Sequence, residues 1–146
     1  WQMNDSLEMK GRVMGLDLGE KRIGGALSDP FRMIAKPLTV VKRTSRKADF
    51  ARYAELIAQH EVTAVVVGLP TYLNGKDSAM TRWVRDYSAE FATTINIPLL
   101  LHDESKSSDA ARQRMIELGY NRRKREALRD AVAAAIFLQE FLEEEY

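Results

Sequence analysis

The chain has 146 residues, a length that suits one domain with one core. It has no cysteine and two histidines, which excludes disulfides, thiolate metal sites, Cys nucleophiles and any site of several His ligands. Its 22 Lys and Arg against 21 Asp and Glu exclude a globally basic or acidic protein, and no run of about 18 apolar residues offers a membrane span.

Trp1 to Glu8 has little periodicity and is expected to be a disordered extension, leaving residues 9–146 as a single domain. No secretory pattern is visible at the start, so the cytoplasm is the expected compartment. Gly11 to Leu18 reads as a first strand, with Val13, Gly15 and Asp17 on one face and Met14, Leu16 and Leu18 on the other. Gly19 and Glu20 turn the chain into a second strand, Arg22 to Ser28, which Asp29-Pro30 ends. Met33 to Val41 reads as a third strand, with Pro37 marking an edge or a bend. The short connections predict an antiparallel meander.

Beyond it the pattern alternates. Ser45 to His60 has helical spacing through Phe50, Tyr53, Ala54, Ile57 and Ala58. Thr63 to Val67 is a Val-rich run that suits a strand buried on both faces of a parallel sheet, ended by Gly68-Leu69-Pro70. Ser78 to Thr93 is a second helix, whose Trp83, Tyr87 and Phe91 stripe reads as core rather than as a platform for stacked bases. Ile97 to His102 is a further apolar strand. A third helix runs from Ser107 or Ser108 to Leu118, with Gly119 as its stop, and a last one from about Arg122 to Glu144. The predicted class is α/β: a mixed sheet, three antiparallel strands plus parallel ones, flanked by helices.

Three acids stand out against this frame. Asp17 lies between Leu16 and Leu18 inside an apolar strand, where a carboxylate is costly unless paired or bound to metal. It suits either a metal ligand at a strand end or an Asp that hydrogen-bonds the next turn. Glu104 follows the apolar strand with Asp103, at the carboxyl end where ligands of α/β sheets bind, although helix-start acids have the same look. Asp130 lies inside the last helix, so capping cannot explain it, and the alanines after it let that helix pack close to the sheet; a surface ion pair is the plainer reading. Clustered carboxylates repel one another unless cations occupy the site. Oxygen ligands without cysteines favour Mg²⁺ or Mn²⁺ over Zn²⁺, and two such ions can activate water and stabilise the leaving oxygen of a phosphodiester.

Val13-Met14-Gly15-Leu16-Asp17-Leu18-Gly19, Lys21-Arg22-Ile23-Gly24 and Ser28-Asp29-Pro30 closely resemble the opening of the YqgF/RuvX family. Val65 to Pro70 with Asn74-Gly75 resembles its second block, and Asp103-Glu104 and Arg123-Lys124-Arg125 through Asp130 to Ala135 its last two. The resemblance covers about Lys10 to Leu142. It implies a ribonuclease-H-like fold similar to Holliday-junction resolvases, and metal-dependent hydrolysis of phosphodiesters in 5′-end maturation of pre-16S rRNA or in branched DNA. By that resemblance Asp17, Glu104 and Asp130 match the acidic triad, catalytic and metal-holding. The chain departs from the family at Ser105, where Arg usually follows the Asp-Glu pair, and at Gly25, where a β-branched residue is common. Lys106 stands beside Ser105 as a replacement cation without the fork of Arg. That departure keeps a second reading open, a weakly catalytic or non-catalytic nucleic-acid-binding module in ribosomal RNA processing or recombination.

Lys21 and Arg22 follow the Asp17 turn and are candidate phosphate contacts, as are Lys106, Arg122, Arg123, Lys124 and Arg125. Cations at a helix start oppose the helix dipole, and a nearby phosphate backbone would offset that cost. His102 is expected to make a structural hydrogen bond. The expected partner is structured RNA or branched DNA, with no membrane, and the chain is expected to act as a monomer or a homodimer; cutting two strands of a junction would need a symmetric dimer.

Overall fold

The computed structural model describes residues 11–70, 78–104, 113, 116, 117, 119 and 121–145, with the backbone alone for Glu104, Lys124, Arg125, Glu126 and Glu145. The expected extension at Trp1 to Glu8 lies outside the described residues. Five strands form one mixed sheet: β1 (Arg12–Leu18), β2 (Arg22–Ser28), β3 (Ala35–Lys42), β4 (Val62–Pro70) and β5 (Leu99–Glu104). Among the described residues three continuous helices accompany them: α1 (Arg46–Gln59), α2 (Ala79–Ala92) and α3 (Arg122–Glu145). The sheet order is β3-β2-β1-β4-β5. β1 therefore sits at the centre, antiparallel to β2 and parallel to β4.

Strand alternation sorts the core into two layers. On one face Met14, Leu16, Leu18, Ile23, Val65 and Val67 meet Phe50, Tyr53 and Leu56 of α1 and Val84, Tyr87 and Phe91 of α2. On the other, Val13, Ala26, Ala64 and Val66 meet Ala134, Phe137, Leu138 and Phe141 of α3. Val65, Val66 and Val67 are all buried, as a strand covered on both faces requires. Ser45 and Ser78 cap α1 and α2, their hydroxyl oxygens accepting from the amides of Ala48 and Thr81 at 3.1 Å.

Several boundaries differ from the sequence expectation. β3 begins at Ala35 rather than Met33, because the Asp29 carboxylate accepts from the amides of Phe31, Met33 and Ile34 and holds them in a loop. Pro37 is both on an edge strand and beside a register shift. β4 continues through Gly68 and Leu69 to Pro70, where Leu69 is buried and proline's missing N–H falls at the strand end. β5 lies two residues later than expected, so Asp103 and Glu104 are its last residues rather than the start of a helix. Of the helix expected over 107–118, residues 113, 116 and 117 are helical and the rest lie outside the described residues; Gly119 has φ +76°, the left-handed conformation of a helix stop. Among the described residues, no helix is long and apolar enough to cross a membrane.

Candidate active site

The antiparallel register sets Asp17 opposite Gly24, with their Cα atoms about 5 Å apart as such pairs are. Asp17 shares its face of β1 with Val13 and Gly15, the face that α3 covers. At Gly24 the helix comes down onto the sheet: a Cβ there would overlap the Asp130 carbonyl oxygen. At Gly15, a Cβ would lie 3.1 Å from Leu138 Cβ, so the approach is close along two turns of α3. Ala131 and Ala134, fully buried, let the helix sit this low. Two glycines on adjacent strands and small residues on the helix thus seat the Asp130 backbone over Gly24, the residue paired with Asp17.

Asp130 is half-buried, and Arg22 closes on it, Nε donating to Oδ2 at 2.8 Å. The hydrogen bond to Asp130 and then its charge hold the Arg22 guanidinium further above its ordinary value. A cation therefore already stands at the carboxylate that was expected to hold metal. The plainer reading of Asp130, an ion pair, is present as well, with Arg22 as the partner.

The parallel ladders carry the level of Asp17 across the sheet. Leu16 pairs with Val67 and Val67 with Leu101, so Asp17 stands level with Gly68 and His102. Glu104, paired with Pro70, is the last residue of β5 and two positions beyond His102. His102 packs edge-on against Phe141 of α3, ring centroids 5.4 Å apart, and its Nε2 lies 3.7 Å from Glu144 Oε2. The ring packing is structural, but 3.7 Å is longer than the hydrogen bond expected of His102. Among the described side chains, no group of three or more His, Asp or Glu stands close enough together to hold a metal ion.

Of the candidate nucleic-acid contacts, Lys21 and Arg22 open β2 beside the Asp17 turn and are exposed. Arg122 and Arg123 are exposed on the first turn of α3, two turns before Asp130, and the backbone of Lys124 and Arg125 continues that turn. Lys106 and Ser105 lie outside the described residues. Gly24 is the residue whose role sequence reasoning missed. Its signal was available: once the turn joins Leu18 to Ile23, Gly24 must face Asp17.

A family model described as "RuvX: Holliday junction resolvase" matches residues 11–144. The chain belongs to the RuvX family. A protein of Roseiflexus sp. (strain RS-1) is 44% identical over 133 residues, covering 91% of this chain and 94% of its own. One of Maridesulfovibrio salexigens is 40% identical over 131 residues, covering 90% and 97%. Both carry the name "Putative pre-16S rRNA nuclease". The fold is similar to that of Thermus thermophilus RuvC solved with a Holliday junction substrate, TM-score 0.57 at 18% identity over 92% of this chain and 94% of that one. It is also similar to the fowlpox virus resolvase solved with Holliday junction DNA, TM-score 0.57 at 14% identity over 91% and 97%. These neighbours place the mixed sheet with its flanking helices among the ribonuclease-H-like resolvases, the fold class that the sequence implied.

Proposed function

We propose that this member of the RuvX family is a divalent-metal-dependent endonuclease that hydrolyses phosphodiester bonds in pre-16S rRNA, at 5′-end maturation, or in branched DNA. The observation that supports the reading is the seating of α3 on Gly24, with the Asp130 backbone over the residue that pairs with Asp17 near the carboxyl end of the central strand. The names of the relatives and the resolvase fold support a nuclease of this kind.

The donor set fits a hard divalent ion. Asp17 and Asp130 would supply carboxylate oxygens from β1 and α3, with Glu104 at the end of β5 as the third ligand, and the ion pair of Arg22 with Asp130 is consistent with a cation at that carboxylate. Mg²⁺ or Mn²⁺ held by these three acids would supply an activated water and charge stabilisation for the leaving oxygen. With a metal held at Asp130, Arg22 would be released from Oδ2 and its fork would be available to the phosphate to be cut. Lys21, Lys106 and Arg122 to Arg125 hold the flanking backbone through charge, which makes binding weaken as salt rises. Ribosomal RNA precursors are a cytoplasmic substrate, and a monomer suffices for one strand, whereas a junction requires a homodimer.

The test is cleavage of end-labelled branched DNA and of a pre-16S rRNA fragment with Mg²⁺ or Mn²⁺, comparing the native chain with Asp17→Asn. Metal-dependent cutting that disappears in the variant is expected, and the better substrate identifies the polymer. Binding to both substrates with neither cut would overturn the nuclease and leave a binding module, with Ser105→Arg as the first variant to make.

A further inference from the structure

A cavity of about 350 Å³ opens on the far side of the Asp17 turn, lined by Glu20, Arg43, Ala79, Met80 and Trp83. It lies at the carboxyl lip of the sheet, on the α2 side. Glu20 comes three residues after Asp17, a span of at most roughly 10 Å. Its size is at the low end for ligand pockets, which run about 300–1,000 Å³, and suits one planar ring system.

The walls are built for such a ring. The Arg43 guanidinium carbon lies 4.3 Å from the Trp83 ring centroid, a cation–π stack. Arg43 is fixed there because its Nη1 donates to the Glu20 carbonyl at 2.7 Å and to the Gly19 carbonyl at 3.3 Å. Tyr87 and Phe91, which share the helical stripe with Trp83, are buried core, whereas Trp83 is half-buried and borders the cavity. Met80 supplies an adaptable apolar wall. A flat guanidinium and an indole are surfaces on which nucleobases stack. Among the described lining residues Glu20 is the carboxylate, which disfavours a phosphate and favours a ligand edge with N–H donors. Its two oxygens match two adjacent donors, which among the four bases of RNA is the N1–H and N2–H₂ edge of guanine.

We infer that this cavity is a guanine subsite: an unpaired guanine of the substrate strand stacks against Arg43 and Trp83, and Glu20 accepts from its Watson–Crick edge. The inference rests on the reading of the chain as a nucleic-acid enzyme and adds a base preference beside the site of cutting. The arrangement links that preference to the scissile position, because the Gly19–Glu20 turn joins the cavity directly to the Asp17 strand.

Trp83 is one of two tryptophans, so a Trp1→Phe chain reports on the cavity alone by fluorescence. In EDTA, to prevent cutting, it is titrated with uridine dodecamers carrying one central guanine, one central adenine or neither. Guanine is expected to quench Trp83 and to bind about tenfold tighter than the all-uridine strand, an advantage that Glu20→Gln removes because an amide opposes a donor to a donor. Free guanosine 5′-monophosphate, run in parallel, should quench far more weakly; quenching as tight as that of the strand would overturn the substrate strand as the source of the base. Equal affinity for the three strands, with Asp17-dependent cutting intact, would overturn the subsite and leave the nuclease standing. Failure of all strands to bind would overturn both.

Discussion

The two faces of the sheet are covered in opposite ways. Under α1 and α2 the contact is made by bulk: Phe50 lies 5.1 Å from both Tyr87 and Phe91, ring centroid to centroid, and Tyr53 meets Phe91 at the same distance. Burying a large apolar side chain stabilises by about 1.5–3 kcal/mol, so this layer carries much of the fold's stability. Under α3 the contact near the site is made by absence of bulk, at Gly15, Gly24, Ala131 and Ala134. Small residues stabilise less per position but bring backbone to backbone. The aromatic face holds the sheet, and the glycine face sets where a carboxylate stands.

That division is open to attack by mutation. Phe91→Ala on the bulky face should cost about 3–5 kcal/mol in denaturant unfolding, while Mn²⁺ affinity measured below the transition stays as it was. Gly24→Ala on the other face should cost about 1–3 kcal/mol, because the new Cβ pushes on the Asp130 carbonyl, and should abolish Mn²⁺ binding and cutting in protein that is still folded. If the first variant lost metal and the second kept it, the division would be wrong. Tyr87→Phe should cost about 1 kcal/mol with no effect on cutting, since the Tyr87 hydroxyl donates to the buried Asp49 at 3.0 Å and meets the Tyr53 hydroxyl at 2.8 Å. Burial, with the neighbouring Asp49 charge, raises both tyrosines' pKa, so both hydroxyls stay protonated through ordinary pH.

The smallest effect belongs to the loop far from the site. Burial pushes the Asp29 carboxyl up, but the amides of Ile34, Met33 and Phe31 outweigh it and hold its pKa below the ordinary value. A depressed carboxylate stabilises the fold above its unfolded value of about 4 and loses that contribution as pH falls through its folded value. The stability gap between the native chain and Asp29→Asn, followed by unfolding midpoint, should therefore shrink below about pH 4 and stay level above it.

The layers were legible because their patterns are local: alternation in β1 separates Val13, Gly15 and Asp17 from Met14, Leu16 and Leu18, and the Val run of β4 announces burial on both faces. Ser45 and Ser78 fixed the helix starts for the same reason. The start of β3 and the end of β5 were not legible, because the first depends on the Asp29 carboxylate reaching forward to three amides and the second on pairing with a β4 that outruns its apolar stretch. At the site, Asp17 and Asp130 were each visible as misplaced acids. The seating of Asp130 over the partner of Asp17 was not, since it rests on Gly24 and on a contact across more than a hundred residues between Arg22 and Asp130.

Whether the acids on the glycine face hold a divalent ion is tested without relying on cleavage by Mn²⁺ binding followed by electron paramagnetic resonance. The native chain should take up Mn²⁺ in competition with Mg²⁺, Asp17→Asn and Asp130→Asn should each lose it, and Arg22→Gln should bind a few-fold more tightly because the competing guanidinium is gone. Uptake that is the same in all four proteins, or none in the native chain, would contradict the account.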